Sequence, residues 1–273
     1  EQKIGFDEIR TLLTGHCLST LGIERVGQMK FLTDLHLLRE LQEQTREFLR
    51  IQEGEEDFPE QDFYDVRPAI KRIRIEGTYL DETELFDLKR SLCTIINIVR
   101  FLNKDTEEDN GTEENRPGDD ASVPYPALRR LTQGVSVYPQ LVRRIESILD
   151  KYGKIKDSAS AELLRIRREL VAAESGISRT LHAILRNAQQ DGVVDKDVTP
   201  TMRDGRLVIP VAPALKRKIK GIVHDESATG RTVFIEPAEV VEANNRIREL
   251  EGDERREIIR ILTEFSNILR PSI

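Results

Sequence analysis

The sequence has 273 residues, of which 33% are charged and only 5% aromatic, and its formal net charge is −7. This composition is typical of long solvated helices and disfavours a compact, aromatic-rich enzyme core. No run of 18 apolar residues occurs, and Cys17 and Cys93 lack the spacing of a zinc site or a disulfide framework. We therefore expect a cytoplasmic protein that has no membrane-spanning helix and binds neither a metal nor a cofactor within this chain.

The first 156 residues are predicted to form an all-α base domain. Apolar residues with helical spacing predict helices over about 4–13, 32–49, 80–102 and 139–151. Asp81 or Thr83 is the predicted N-cap of the third helix. Its predicted buried stripe consists of Leu85, Leu88, Leu92, Ile95, Ile96 and Val99.

A phosphate-binding loop is excluded in this region. Gly22 and Gly27 have the GxxxxG spacing, but Gln28 and Met29 stand where Lys and Ser or Thr would be needed. Further along, the segment from Lys104 to Asp120 carries eight acids against two cations and so holds −6 of the net charge. It is poor in apolar residues, which predicts an acidic disordered loop near 103–123 and leaves the rest of the chain almost neutral.

Two long helices are predicted in the second half of the chain. The first is expected over about 158–190, because apolar or small residues recur at intervals of three and four from Leu163 to Ala188. The second begins near Pro237 and is of similar length, so each spans roughly 48 Å. They bracket a β-rich segment over about 195–235, which predicts an antiparallel arm with a β tip. Since the second helix ends without re-entering a domain, we expect a fragment of a longer protein.

The β-rich segment contains two predicted hairpins. Asp204 and Gly205 separate two strand-like runs, because both tolerate positive φ. Pro210 in the run RLVIPV cannot donate a ladder hydrogen bond, so this strand is predicted to lie at an edge. KIKGIVH and TVFI form the second hairpin around DESATGR. A positive φ at Gly230 and turn hydrogen bonds from hydroxyl side chains would make this turn mainly architectural.

The second hairpin also raises the possibility of a hydrolase. His224, Asp225 and Ser227 are the residue types of a nucleophilic triad, but members of a triad usually come from separate elements and converge in space. The same cluster lacks the ligand spread of a metal site. We predict no catalytic residue here.

Cationic residues of the β-rich segment are the candidate nucleic-acid contacts. Between residues 195 and 235 there are eight Lys or Arg against five Asp or Glu. Alternation predicts that three lysines share one face of a strand, and three arginines are expected at neighbouring hairpin ends. A phosphate contact is the predicted role, a solvated strand face is the alternative, and the lack of interleaved aromatic residues disfavours base stacking. The candidates are Lys216, Lys218, Lys220, Arg203, Arg206 and Arg231. By contrast, arginines at 165, 167 and 168 alternate with glutamates and are expected to form surface ion pairs.

RDGRLVIPV (203–211), GIVHDESATGRTVFIEP (221–237) and the AEVVEANNRIRELE that follows resemble the clamp region of the bacterial MutS-type-two family, and IGFDEIRTLLTGHCLSTLG resembles its N-terminal sequence. The resemblance covers nearly the whole chain. It implies an α-helical core over 1–156, an outgoing lever helix over 157–192, a β-rich clamp over 193–236, and a returning lever helix over 237–273 that is cut before an ATPase domain.

The resemblance also implies what the complete protein does. Such MutS paralogues have an ATPase that binds ATP and Mg²⁺, usually a C-terminal Smr endonuclease domain, and dimerise through the ATPase. Their roles divide between suppression of recombination by binding branched DNA and rescue of collided ribosomes. ATPase and nuclease motifs do not occur in this sequence, so we expect a non-enzymatic lever and clamp that binds DNA, or ribosomal RNA on the ribosome. The alternative is a coiled-coil arm that binds another protein without touching nucleic acid.

Overall fold

The computed structural model describes residues 4–54, 57–104 and 124–273, and the chain divides into two compact units. The first unit contains Glu1–Lys154 and Phe265–Ile273, and the second contains Ile155–Glu264. The predicted acidic loop near 103–123 lies outside the described residues from position 105 onward.

The described residues form a mainly helical protein with one small antiparallel sheet, as the sequence predicts. The α-helices are α1 (Phe6–Gly15), α2 (Thr20–Gly27), α3 (Leu35–Glu53), α4 (Arg67–Ile73), α5 (Glu82–Leu102), α6 (Pro126–Thr132), α7 (Pro139–Ile148), α8 (Ala161–Gln190) and α9 (Val241–Leu269). Short 3-10 helices cover Asp157–Ala159, Pro213–Lys218, Ala238–Val240 and Arg270–Ser272. In the parts of the chain that the structure describes, no helix is long and apolar enough to span a membrane.

Helix α5 begins at the predicted cap, but its buried stripe differs from the prediction. The Asp81 carboxylate accepts the Glu84 amide at 2.8 Å, and the Glu84 carboxylate accepts the Asp81 amide at 3.0 Å, which is a capping box. Thr94 is buried, and its hydroxyl is satisfied there by donating to the Gln61 carbonyl at 2.9 Å. Ile95, predicted to be buried, is 40% exposed. The segment that contains Gln61 therefore covers this part of α5 through a hydrogen bond, whereas the apolar periodicity predicts that an apolar surface packs there.

A buried carboxylate joins α3 to α6 in the first unit. The Glu47 side chain is only 3% exposed, and its two oxygens accept the backbone amides of Ala127 and Leu128 at 3.0 and 2.8 Å. These amides belong to the first turn of α6, which has no side-chain cap of its own. A carboxylate at this end satisfies unpaired N–H groups and complements the helix dipole.

Replacing Glu47 with Ala should therefore destabilise the protein by about 2–4 kcal/mol, because two buried amides lose their acceptor. The matched control is Glu43→Ala on the same helix. Glu43 makes an exposed ion pair with Arg46 and should contribute about 0.5 kcal/mol or less. Urea denaturation followed by circular dichroism measures both. Equal midpoints for the two variants would contradict a structural role for Glu47.

The second unit contains a four-stranded antiparallel sheet. Its strands are β1 (Thr201–Arg203), β2 (Arg206–Val211), β3 (Gly221–Glu226) and β4 (Val233–Pro237), in the order β1-β2-β4-β3. Asp204 and Gly205 both have positive φ, at 47° and 72°, which confirms the first predicted hairpin. The second hairpin, β3 with β4, is also confirmed.

Strand β2 is internal, so the prediction that it lies at an edge is wrong. It pairs with β1 through Arg206–Val208 and with β4 through Ile209–Val211. Pro210 lies beyond the end of the pairing with β1, and its missing N–H is tolerated there. Proline thus marks a local edge rather than an edge strand.

Helices α8 and α9 lie antiparallel within the second unit. The Ser160 hydroxyl donates to Glu257 at 2.6 Å, Arg167 donates to Glu254 at 2.7 Å, and Arg246 donates to Glu169 at 2.9 Å. In these pairs the residue number rises along α8 while it falls along α9, so the two helices run in opposite directions. The first turn of α9 therefore lies beside the middle of α8.

The second half of α8 packs with the sheet. Its Leu181, Leu185 and Ala188 belong to the same apolar cluster as Ile209 of β2 and Ile235 of β4, and α8 contacts β2 directly. The two helices match in length, as predicted, but they are offset along each other. The sheet therefore lies alongside the second half of α8, where the sequence predicted a tip beyond both helices.

Candidate nucleic-acid interface

A buried glutamate organises the sheet. The Glu236 side chain on β4 has no exposed surface, and it accepts hydrogen bonds from Arg206 at 2.7 and 3.0 Å and from Asn244 at 2.7 Å. His224 Nε2 lies 2.5 Å from the Oε2 atom of the same carboxylate. Burial raises the pKa of Glu236, but the hydrogen bonds from His224, Asn244 and Arg206 outweigh it, so that the pKa lies below its ordinary value of 4.5. We call these four residues the Glu236 network.

A β-bulge directs His224 into this network. Val223 pairs with Ile235 and Asp225 with Phe234, so His224 is the extra residue on β3. Its side chain is mostly buried against Glu236, and the neighbouring Asp225 and Glu226 are exposed. The bulge therefore separates His224 from the two acids that adjoin it in the sequence.

The turn between β3 and β4 is held by its own hydrogen bonds. The Ser227 hydroxyl accepts the Thr232 amide at 3.0 Å, and the Ser227 carbonyl accepts the Gly230 amide at 2.7 Å. Gly230 has a φ of 67°, as predicted. These contacts explain the polar residues of the turn without a catalytic role.

The structure does not assemble a triad from this hairpin. The His224 side chain contacts Glu236, and the Ser227 hydroxyl contacts the Thr229 hydroxyl and the Thr232 amide. Within the described ranges, no group of three or more His, Cys, Asp or Glu residues could hold a metal ion. Gly22 and Gly27 lie within helix α2, so they form no phosphate-binding loop in this chain.

The lysines predicted to share a strand face occupy a different structure. Lys216 and Lys218 lie in the 3-10 helix Pro213–Lys218, and Lys220 lies just before β3. A 3-10 helix has three residues per turn, so successive side chains point in different directions and strand alternation does not apply. All three lysines are nevertheless exposed, and Arg217 between them is exposed as well.

The four cations of this basic segment, residues 216–220, have no ion pair to a carboxylate in the described part of the chain. Arg217 was missed because alternation placed it on the opposite strand face. Pro213 is the signal that would have revealed it, since proline favours the first turn of a helix.

The three predicted arginines have different surroundings. Arg206 is 15% exposed and binds Glu236 and Asn245, the latter at 2.6 Å, so its guanidinium is engaged inside the protein and its predicted phosphate contact stays a prediction. Arg203 is exposed and lies over the Phe234 ring, with the guanidinium carbon 4.2 Å from the ring centre. Arg231 is exposed in the turn that precedes β4.

Two of the three arginines predicted to be ion-paired in the first half of α8 are paired, whereas the third, Arg168, is exposed and pairs with no carboxylate in the described part of the chain. Arg165 binds Glu162 at 2.7 Å and also Glu169, and Arg167 binds Glu254 at 2.7 Å and also Asp157. Their charge is therefore balanced locally, in contrast to that of the basic segment.

No family model matches this sequence. Proteins named endonuclease MutS2 are similar to it over nearly its whole length. The protein of Lacticaseibacillus paracasei is 34% identical over 99% of this chain, that of Geobacillus sp. 32% over 97%, and that of Enterococcus faecalis 31% over 98%. The chain spans 32% of the length of each of these relatives.

Proposed function

We propose that this chain, which belongs to the MutS2 family, binds nucleic acid through the cations of its small sheet and acts in the complete protein as a lever and clamp. In this proposal α8 and α9 are the lever helices and the four-stranded sheet is the clamp. The relatives are named endonucleases, a class of enzyme that acts on nucleic acid, so a nucleic-acid ligand is the natural partner for this part of the family.

The basic segment carries the proposal. Four of its five residues are exposed Lys or Arg, and the fifth, Ile219, is buried in the apolar cluster of the second unit. The buried side chain anchors the segment while the cations extend into solvent. Such groups bind phosphates and release counterions, which makes the affinity strongly dependent on salt. Lys216, Lys218 and Lys220 are the proposed primary contacts, with Arg217, Arg203 and Arg231 as additional ones.

The packing of the sheet supports a mechanical role for the two helices. Apolar residues of α8 and β4 share one cluster, and the Glu236 network links β2, β3 and β4 to Asn244 on α9. The sheet is thus attached to both helices by buried contacts. A displacement of the helices would move the sheet, and with it the basic segment, as one body.

The test is a binding titration with the variant Lys216→Ala/Lys218→Ala/Lys220→Ala. We expect weaker binding to branched DNA, with the slope of log affinity against log salt reduced by about 2.7, because each lost phosphate contact on duplex DNA contributes about 0.9. Fluorescence anisotropy at several salt concentrations from about 50 to 200 mM measures both quantities. Ribosomes form a second arm of the titration and distinguish the two nucleic-acid sources.

The matched control is Arg165→Ala/Arg246→Ala/Arg256→Ala, which removes the same formal charge from the same unit. These arginines are ion-paired to Glu162, Glu169 and Asp253 among others, so the control should change the slope by less than about 1. An affinity that does not change with salt would refute phosphate binding and support an arm that binds protein. Equal effects of the two triple variants would refute the assignment to the basic segment.

A further inference from the structure

The second half of α8 carries an unbalanced basic surface. Arg179, His182 and Arg186 are exposed and recur at intervals of three and four, so they share one side of the helix. The opposite side, including Leu181 and Leu185, is buried in the cluster with the sheet. We call these three exposed residues the α8 basic face.

The two guanidinium groups of this face each donate the same kind of hydrogen bond to the backbone of α8. Arg179 Nε donates to the Ser175 carbonyl at 3.2 Å, and Arg186 Nε donates to the His182 carbonyl at 3.3 Å. In each case the bond runs from residue i to residue i−4. Neither arginine has an ion pair to a carboxylate within residues 124–273, all of which the structure describes, so their terminal nitrogens remain available to a ligand.

Other arginines of the same helix pair provide the contrast. Arg165, Arg167, Arg246, Arg256 and Arg260 each bind one or two carboxylates. Between Glu174 and Asp191 the helix contains no acidic residue. Along this stretch, therefore, α8 offers no acidic residue of its own to Arg179 and Arg186. Elsewhere on α8 and α9 most arginines are paired, and Arg168, Arg248 and Arg255 are the exceptions in the described part of the chain.

We propose that the α8 basic face is a second phosphate-binding surface, which contacts the backbone of double-stranded DNA. This inference rests on the proposed function and adds a binding site outside the sheet. Arg179 and Arg186 are seven residues apart, about 10 Å along the helix axis, so they contact separate phosphates. Ser178, Ala183 and Asn187 beside them are exposed and short, which lets a phosphate backbone approach closely, and two of them can donate hydrogen bonds to it.

The surroundings favour a duplex over a single strand. Phe234 is the only Phe, Tyr or Trp between residues 155 and 264, and it is buried beneath Arg203. Single-stranded nucleic acid is usually held by aromatic residues on which its bases stack. A surface with cations and short polar side chains, but no ring, suits the regular phosphates of a duplex.

The test compares Arg179→Gln/Arg186→Gln with the matched control Arg165→Gln/Arg256→Gln in the 273-residue chain. Glutamine preserves helix propensity and length while removing the charge. With duplex DNA of random sequence, we expect the first variant to bind at least about 10-fold more weakly at about 50 mM salt and to lose about 1.8 from the salt slope. The control should stay within about 2-fold of the parent chain. Both variants should keep the parent's helical signal and melting temperature, because the changed residues are exposed.

The remaining outcomes show whether this inference fails alone or together with the proposed function. If Arg179→Gln/Arg186→Gln binds like the parent while the lysine triple variant binds weakly, the α8 basic face is refuted and the basic segment stands. If the parent chain binds DNA and neither variant differs from it, both proposals are refuted. Both are also refuted if the parent chain does not bind DNA at about 50 mM salt. Tighter binding of the parent to double-stranded RNA than to DNA would overturn the assignment of the face to DNA.

Discussion

Replacing Glu236 with Ala is expected to destabilise the second unit by about 3–5 kcal/mol, because it leaves the Arg206 guanidinium buried without its counterion. Arg206 donates to both carboxylate oxygens and is itself only 15% exposed. His224 and Asn244 lose the same acceptor. These contacts join three strands to α9, so their loss should loosen the attachment of the sheet as well as lower its stability.

The same network should make stability depend on pH in the acid range. The pKa of Glu236 is below its ordinary value of 4.5 in the folded chain, since the hydrogen bonds from its neighbours outweigh the effect of burial. Its contribution is therefore fully present above pH 4.5 and is lost as the pH falls from 4.5 through the lower folded pKa. Glu236→Gln removes the titrating group, so the difference in unfolding free energy between the parent and this variant should shrink over that interval.

Chemical denaturation at neutral and acid pH measures both effects. The control is Glu162→Ala, which breaks an exposed ion pair with Arg165 in the same unit and should leave the stability close to that of the parent. A Glu236→Ala variant as stable as this control would show that the buried network is not formed in solution. A gap between the parent and Glu236→Gln that widens on acidification would contradict the lowered pKa.

Periodicity predicted the long helices well because they repeat the same pattern over many turns. The expected range of 158–190 agrees with the observed α8 at Ala161–Gln190, and Ser160 caps its first turn by accepting the Leu163 amide at 2.9 Å. Helices α2, α4 and α6 were missed, since seven or eight residues are too few to display a period. The offset between α8 and α9 was also unpredictable, because it is determined by contacts between residues far apart in the sequence.

The candidate site was predicted less completely. Exposure of the lysines follows from their charge, but their assignment to a strand failed because Pro213 begins a 3-10 helix. The internal role of Arg206 depends on Glu236, which lies 30 residues further along the chain. His224 reaches the same carboxylate through a bulge that no local pattern reveals. A charged residue next to a hairpin is therefore predicted to be exposed, and only the register of the strands shows whether it has a buried partner.

A glycine at the start of β3 lies where the backbone of β4 approaches closely. A Cβ atom added to Gly221 would lie 2.1 Å from the Glu236 carbonyl oxygen and 2.9 Å from Pro237 Cα. Gly221 pairs with Pro237, and the adjoining Lys220 carbonyl accepts the Ala238 amide at 3.0 Å. Since the obstructing atoms are backbone, no rotation of a side chain can relieve the clash.

Gly221→Ala should therefore cost about 3 kcal/mol or more, because β3 must separate from β4 at this end. Gly230→Ala is the control. Its φ of 67° makes Ala unfavourable by about 1–2 kcal/mol, but nothing lies within 4 Å of the added Cβ. Thermal unfolding should order the parent, Gly230→Ala and Gly221→Ala by decreasing midpoint. Gly221→Ala should also weaken DNA binding, since it displaces Lys220, whereas Gly230→Ala should not. If the two alanine variants melt together, the β3–β4 contact does not hold the basic segment, and its cations must be positioned by Ile219 and the apolar cluster alone.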